Sequence, residues 1–209
     1  MTYKQLTEEH LDALREISNV GMGHAATALS QMVDDTIHLH VPKVTLADIA
    51  EVPELLGGAE QVVVGITLQV RGDAQGNILL VFPLDCAENM VLQLLGREPG
   101  GEVFDDIGIS TVKEVGNILA SSYLGAMGTL LNLTLIPSIP LLANDMAGAV
   151  IDFLLIELSE EGDQALMIET EFHGNSPDAK LIRGHFFLMP DPTSLEVITN
   201  AVGGLNDDA

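Results

Sequence analysis

The chain has 209 residues, 47% of them apolar, with no Trp and 4% aromatics, which is enough for one domain with a sizeable core of aliphatic side chains. Its 31 acidic residues against 8 basic ones, a formal net charge of -23, are spread along the chain and make nucleic acid and anionic membrane poor partners. Such a coat of carboxylates reads as adaptation to a salt-rich cytoplasm, since at about 1 M salt the screening length is roughly 3 Å and self-repulsion becomes tolerable.

In chain order, Glu8–Val33 is predicted as one long helix capped by Thr7. Leu11, Leu14, Ile17, Gly21, Ala25, Ala28 and Met32 recur at helical spacing and are expected to face the core. Ile37–Val41 reads as a strand ended by Pro42, and Val44–Ile49 as another. Gln61–Val70 and Asn77–Phe82 form a hairpin around Arg71-Gly72-Asp73, read as a turn rather than an adhesion motif. A helix follows at Leu84–Leu95, with Gly96 as its stop. Cys86 is the sole cysteine, so no intrachain disulfide forms.

The second half opens with a helix at about Asp106–Leu131, then a short strand at Asn132–Ile136 and a Pro-punctuated stretch, Pro137–Asn144. Asp145–Leu158 is open between helix and strand, and Ser159–Asp163 is an acidic turn. Ala165–Phe172 and Leu181–Met189 are strands joined by Gly174–Asp178. Ser194–Val202 is a last helix ended by Gly203-Gly204, with a frayed tail from Asn206. The most apolar stretch, Leu130–Ala143, is broken by Asn132, Pro137 and Pro140 and is too short to span a bilayer. The start carries no signal-peptide pattern, and a cytoplasmic protein is expected.

The two halves, about 1–98 and 99–209, repeat one order: long helix, strands, hairpin, short helix. Each ends in a strand–Pro–helix junction, at Pro83 and Pro190. The fold class is α+β: a single domain with a pseudo-twofold axis, its two long exposed helices packed on an antiparallel sheet.

The long helices share more than their order. Arg15-Glu16-Ile17-Ser18-Asn19-Val20 matches Lys113-Glu114-Val115-Gly116-Asn117-Ile118 at a separation of 98 positions. Asp12, Glu16, Asn19 and Gly23 fall at i, i+4, i+7 and i+11 and form one polar stripe; Ser110, Glu114, Asn117 and Ser121 form its copy. Gly within a helix costs up to about 1 kcal/mol and Asn somewhat less, and such costs recur in register, with Asn in both copies and a small residue, Gly23 or Ser121, in each. A solvated helix face would repeat in any duplicated fold, so the pattern alone leaves that reading open beside a functional one. One carboxylate and one amide are too few for a metal cage. No Ser–His or Cys–His nucleophile and no Gly-rich phosphate loop accompany them. Asn can hold a water in line with a scissile bond, and Glu can act as a base or pair with a partner's cation. His38 and His40, at i and i+2 of a strand, lack a third metal ligand.

Asp/Ser-x3-Glu-x2-Asn-x3-Gly on two helices of a duplicated chain resembles the CheC family of chemotaxis phosphatases, over nearly the whole length. The resemblance implies hydrolysis of the aspartyl-phosphate on the response regulator CheY. Asn19 and Asn117 would then position the water, and Glu16 and Glu114 would dock a lysine of the regulator. Asp12, Gly23, Ser110 and Ser121 would border the contact. The regulator would supply the Mg2+, with no cofactor held by this chain. Asn144-Asp145-Met146 resembles the segment such proteins present to the deamidase CheD, with Asp145 as the contact; the competing reading of Asp145 is a helix-start residue. Two positions depart from the pattern: His24, read as a helix-packing histidine, and Ser121 in place of Gly. The alternative is an adaptor or flagellar switch component that binds CheY or CheD without turnover. An internal pseudo-dimer has less need to dimerise, so a monomer is expected.

Overall fold

Local capping explains where the first helix begins. In helix α1, Glu8–Val33, the Thr7 Oγ1 accepts from the His10 N–H at 3.3 Å, and His10 Nδ1 accepts from the Thr7 N–H at 3.1 Å. His10 thus does what Glu or Gln does in a capping box. The structure, a computed structural model, describes residues 6–33, 36–158, 164–174 and 182–207. Leu14, Ile17, Gly21 and Ala25 are buried as expected; Leu11 and Ala28 are half-buried, and Met32 is 42% exposed. The packed stripe is completed by Ser18, Met22 and Leu29 and ends there, one turn short of Met32. Ser18 tolerates full burial because its hydroxyl donates to the Leu14 carbonyl at 2.6 Å.

Strand β1 runs unbroken from Ile37 to Asp48, where two strands parted by Pro42 were expected. Proline is accommodated because the register shifts between His40 and Lys43, an irregularity at which no ladder N–H is needed. A 3-10 turn, Ile49–Glu51, leads into the short helix α2, Val52–Leu55. The predicted hairpin is β2, Val62–Gly72, with β3, Gly76–Pro83. Helix α3, Leu84–Leu95, stops at Gly96 in the left-handed region, φ 58°.

Helix α4 spans Asp106–Leu131 and ends on Asn132, also left-handed at φ 54°. Asn132 is therefore a helix cap, and the strand expected from it begins later, as β4, Leu135–Pro137. The Pro-punctuated stretch yields β5, Leu141–Met146, and the ambiguous stretch from Asp145 resolves into the end of β5 followed by α5, Ala147–Leu158. The turn expected at 159–163 lies outside the described residues, as does most of the connection after Gly174. The final hairpin is β6, Gln164–Gly174, with β7, Ile182–Pro190. Helix α6, Pro192–Asp207, runs straight through Gly203-Gly204, where a stop was expected, and on past Asn206. Glycine ends a helix when it turns left-handed, and neither of these does.

Among the described residues, seven strands form one antiparallel sheet in the order β1-β6-β7-β3-β2-β4, with β5 also paired to β2 beyond β4. Each half's first strand lies on the other half's hairpin: β1 on β6, and β4 with β5 on β2. The order reads the same from either edge once the halves are exchanged. Even the irregularities match, since the shift between His40 and Lys43 corresponds, 98 positions on, to the gap between β4 and β5. Pro42 and Pro140 occupy these equivalent breaks.

Helices cover both sheet faces. On one, α1, α4, α3 and α6 close the main core, including Leu14, Ile17, Val64, Ile66, Met90, Tyr123 and Phe186. On the other, α2 and α5 close a smaller cluster around Ile49, Val52, Val63, Ile151 and Phe187. Among the described residues, no helix is long and apolar enough to cross a membrane.

Candidate functional site

The two stripes stand on the two helices that pack directly on each other. They approach closely at Gly21, where an added Cβ would lie 2.8 Å from the Tyr123 Cα and 3.2 Å from the Ser122 carbonyl oxygen. Tyr123 is fully buried with its ring 4.8 Å from that of Phe186. Burial pushes its phenol pKa up; the nearby Ser18 hydroxyl opposes this without forming a well-made hydrogen bond. The α4 helix is equally close to the sheet: a Cβ on Gly116 would lie 2.8 Å from Ile66 Cγ2.

The two asparagines stand at equivalent positions of the two packed helices, 98 residues apart. Ser18 and Gly116, the residues just before Asn19 and Asn117, are turned into the protein. Asn19 and Asn117 are half-buried, while Asp12, Glu16 and Gly23, and likewise Ser110, Glu114 and Ser121, are exposed. Both copies therefore present a half-buried carboxamide beside an exposed carboxylate on a closely packed helix. Pre-placement of this kind is what a positioning site requires.

The copies differ in detail. Asp12 pairs with Arg15 at 3.3 Å on an open surface, a contact of small energetic value. In the second copy the Ser121 hydroxyl donates to Asn117 Oδ1 at 3.5 Å, a long bond. No atom lies within 4 Å of a Cβ built on Gly23, so a Cβ there would face open space. His24, expected to pack between helices, is exposed. Among the described residues no group of three or more His, Cys, Asp or Glu side chains could hold a metal ion, and His38 and His40 are both exposed.

The stripe is one turn longer than the sequence reading made it. Glu9 and Ile107, also 98 apart, lie three residues before Asp12 and Ser110 on the same faces. Glu9, Asp12, Ala13, Arg15 and Glu16 line a shallow depression, and Ile107 is 58% exposed. The signal was present in the spacing, but the two residues are unlike each other and a search for matches passes over them.

Asp105 fixes where the second copy starts. Its Oδ1 accepts from the Gly108 N–H at 2.8 Å and from Arg97 at 3.1 Å. The Arg97 guanidinium, then the Gly108 amide, hold its carboxyl below the usual range. A lowered folded pKa gives stability that is present above the unfolded value of about 3.9 and lost as pH falls through the folded one. Asp105→Asn is therefore expected to flatten the loss of stability below about pH 4, read by thermal melts from pH 3 to 7; an unchanged profile would contradict this.

Asp145 lies apart from the stripes. It is the penultimate residue of the edge strand β5 rather than a helix start, and its Oδ1 accepts from the Met146 N–H at 2.8 Å. With Gly65, Thr67, Leu141, Ala143 and Val150 it lines a pocket of about 370 Å³ between β2, β5 and α5.

The sequence model of the CheC-like family matches residues 9–46 and 107–140, the segments that carry the two stripes. The CheY-P phosphatase CheC of Bacillus subtilis is 37% identical over 206 residues, 96% of this chain and 97% of that one. A putative CheY-P phosphatase, CheC1 of Halobacterium salinarum, is 24% identical across 92% of this chain and 95% of its own length. Among solved structures, FliY of Thermotoga maritima superposes with a TM-score of 0.75 at 20% identity, covering 96% of this chain and 98% of that one, a likeness of fold. With its two stripes in register and a relative this similar over nearly its full length, the chain belongs to the CheC-like family.

Proposed function

We propose that this protein is a two-site phosphatase that hydrolyses the aspartyl-phosphate of a CheY response regulator. The observation that carries the reading is the Glu/Asn pair, repeated with the same exposure on two helices that packing makes rigid. The names of the two curated relatives support it. In this reading Asn19 and Asn117 orient the attacking water, because a carboxamide can both donate to and accept from it. Glu16 and Glu114 pair with a cation on the regulator, and the regulator brings the Mg2+ that neutralises its own phosphate. Asp12, Gly23, Ser110 and Ser121 border the contact. Asp145, exposed on an edge strand beside an apolar pocket, is the proposed contact for CheD, and one chain is the working unit.

The test is phosphate release from a phosphorylated regulator with and without the protein. Glu16→Ala combined with Glu114→Ala is expected to raise KM about tenfold or more, the loss of one charge-assisted contact per site. An unchanged KM would remove the docking role. Ser121→Gly, measured with the first site disabled by Asn19→Ala, is expected to raise kcat/KM about threefold by freeing Asn117 from a weak hydrogen bond. A fall instead would mean that the Ser121 hydroxyl helps the amide.

A further inference from the structure

We infer that the two sites dock the regulator by different forces, the α1 site by charge and the α4 site by apolar contact, with Glu9 and Asp12 against Ile107 and Ser110 setting the difference. The inference rests on the phosphatase reading for its partner, but its evidence is separate.

Along the α1 stripe, Glu9, Asp12, Glu16, Asn19 and Gly23 follow one another on one exposed face. The same places on α4 hold Ile107, Ser110, Glu114, Asn117 and Ser121. Only the Glu/Asn pair is common to both. Residues 8–23 carry four carboxylates and one arginine, and residues 106–121 carry two carboxylates and one lysine. Arg15 offsets part of this charge by pairing with Asp12, yet Glu9, Asp12 and Glu16 still line one shallow depression. The α4 stripe instead offers Ile107, 58% exposed at the first turn, where an acidic residue would favour the helix dipole. Val20 and Ile118 follow the two asparagines and are alike in kind, so they do not discriminate. A regulator face with several cationic side chains suits the α1 site. The α4 site needs one cation for Glu114 and an apolar patch for Ile107.

Salt separates these forces. Between about 0.05 and 0.5 M NaCl the screening length falls from roughly 14 Å to roughly 4 Å, which weakens charge-led docking and leaves apolar contact in place. The experiment uses two full-length single-site chains, Asn117→Ala to leave the α1 site and Asn19→Ala to leave the α4 site. KM for the phosphorylated regulator is expected to rise about tenfold over that range at the α1 site and less than about twofold at the α4 site. Glu9→Ile with Asp12→Ser should flatten the first slope, and Ile107→Glu with Ser110→Asp should steepen the second. Equal slopes, or slopes that the exchanges do not move, would overturn the inference. Should neither chain turn over, the comparison is made on Kd for the beryllium-fluoride-loaded regulator by calorimetry, with Glu114→Ala added to the first chain and Glu16→Ala to the second so that each keeps one intact docking site. A difference in Kd slopes without turnover would sink the phosphatase reading and keep this one; equal slopes or no binding would sink this one.

Discussion

Changing both Asn19 and Asn117 to Ala is expected to remove about 99% of the acceleration of regulator dephosphorylation, while either change alone leaves the other site working. The size follows from what each carboxamide is asked to do. Orienting a nucleophilic water is commonly worth a factor of about 10² or more, and the neighbouring carboxylates of Glu16 and Glu114 lack the donor needed to take it over. The fold should not suffer. Both residues are half-buried on regular helix, and Ala is the better helix former by roughly 0.5 kcal/mol. Rates measured beside thermal melts separate the effects: activity lost at an unchanged Tm is the expected result. Complete loss from one substitution alone would mean that the sites do not act independently.

Gly21→Val is expected to destabilise the protein by about 3 kcal/mol, whereas Gly23→Val, two residues on, should stay within about 0.5 kcal/mol. At Gly21 the added Cβ meets the backbone of Tyr123 at 2.8 Å, which no rotamer change can relieve, so α1 and α4 must part. At Gly23 there is open space. For a chain of this length the first variant corresponds to a fall in Tm of about 10 °C. It should also lower turnover at both sites, because the two helices position each other. Equal Tm values for the two variants would show that the helix contact at Tyr123 is not what holds the pair.

The elements legible in the sequence are those that local chemistry ends. Thr7 and Asp105 satisfy backbone groups at the starts of α1 and α4, and Gly96 does so at the end of α3, whereas Asn132, expected to open a strand, ends α4 instead. The misplaced boundaries depend on distant chain. Pro42 is tolerated within β1 because its partner strand lies more than a hundred residues away and shifts register there. Asp145 stays in a strand because β2 pairs with it, not because of its neighbours in sequence. Gly203-Gly204 was read as a stop from residue type, but only a left-handed φ makes it one. The Glu/Asn pair was visible because spacing on a helix is a local property. The contacts that hold its backbone, Gly21 on Tyr123 and Gly116 on Ile66, join segments that periodicity cannot relate.

The crossed placement of the first strands bears on how the sites are held. With β1 on β6 and β5 on β2, each hairpin is completed by the other half, so damage to one half's sheet reaches the helix of both. The stripes are thus two copies on one rigid support rather than two independent modules.

The decisive measurement is the time course of acyl-phosphate loss from a phosphorylated CheY regulator with this protein present at about one-twentieth of the regulator's concentration. A phosphatase turns over many regulators per chain, so loss should run well past one equivalent per site, at a rate proportional to the protein added and abolished by the Asn19/Asn117 double substitution. Decay no faster than the regulator's own, with binding retained, would make the protein an adaptor and contradict the catalytic role of the two stripes.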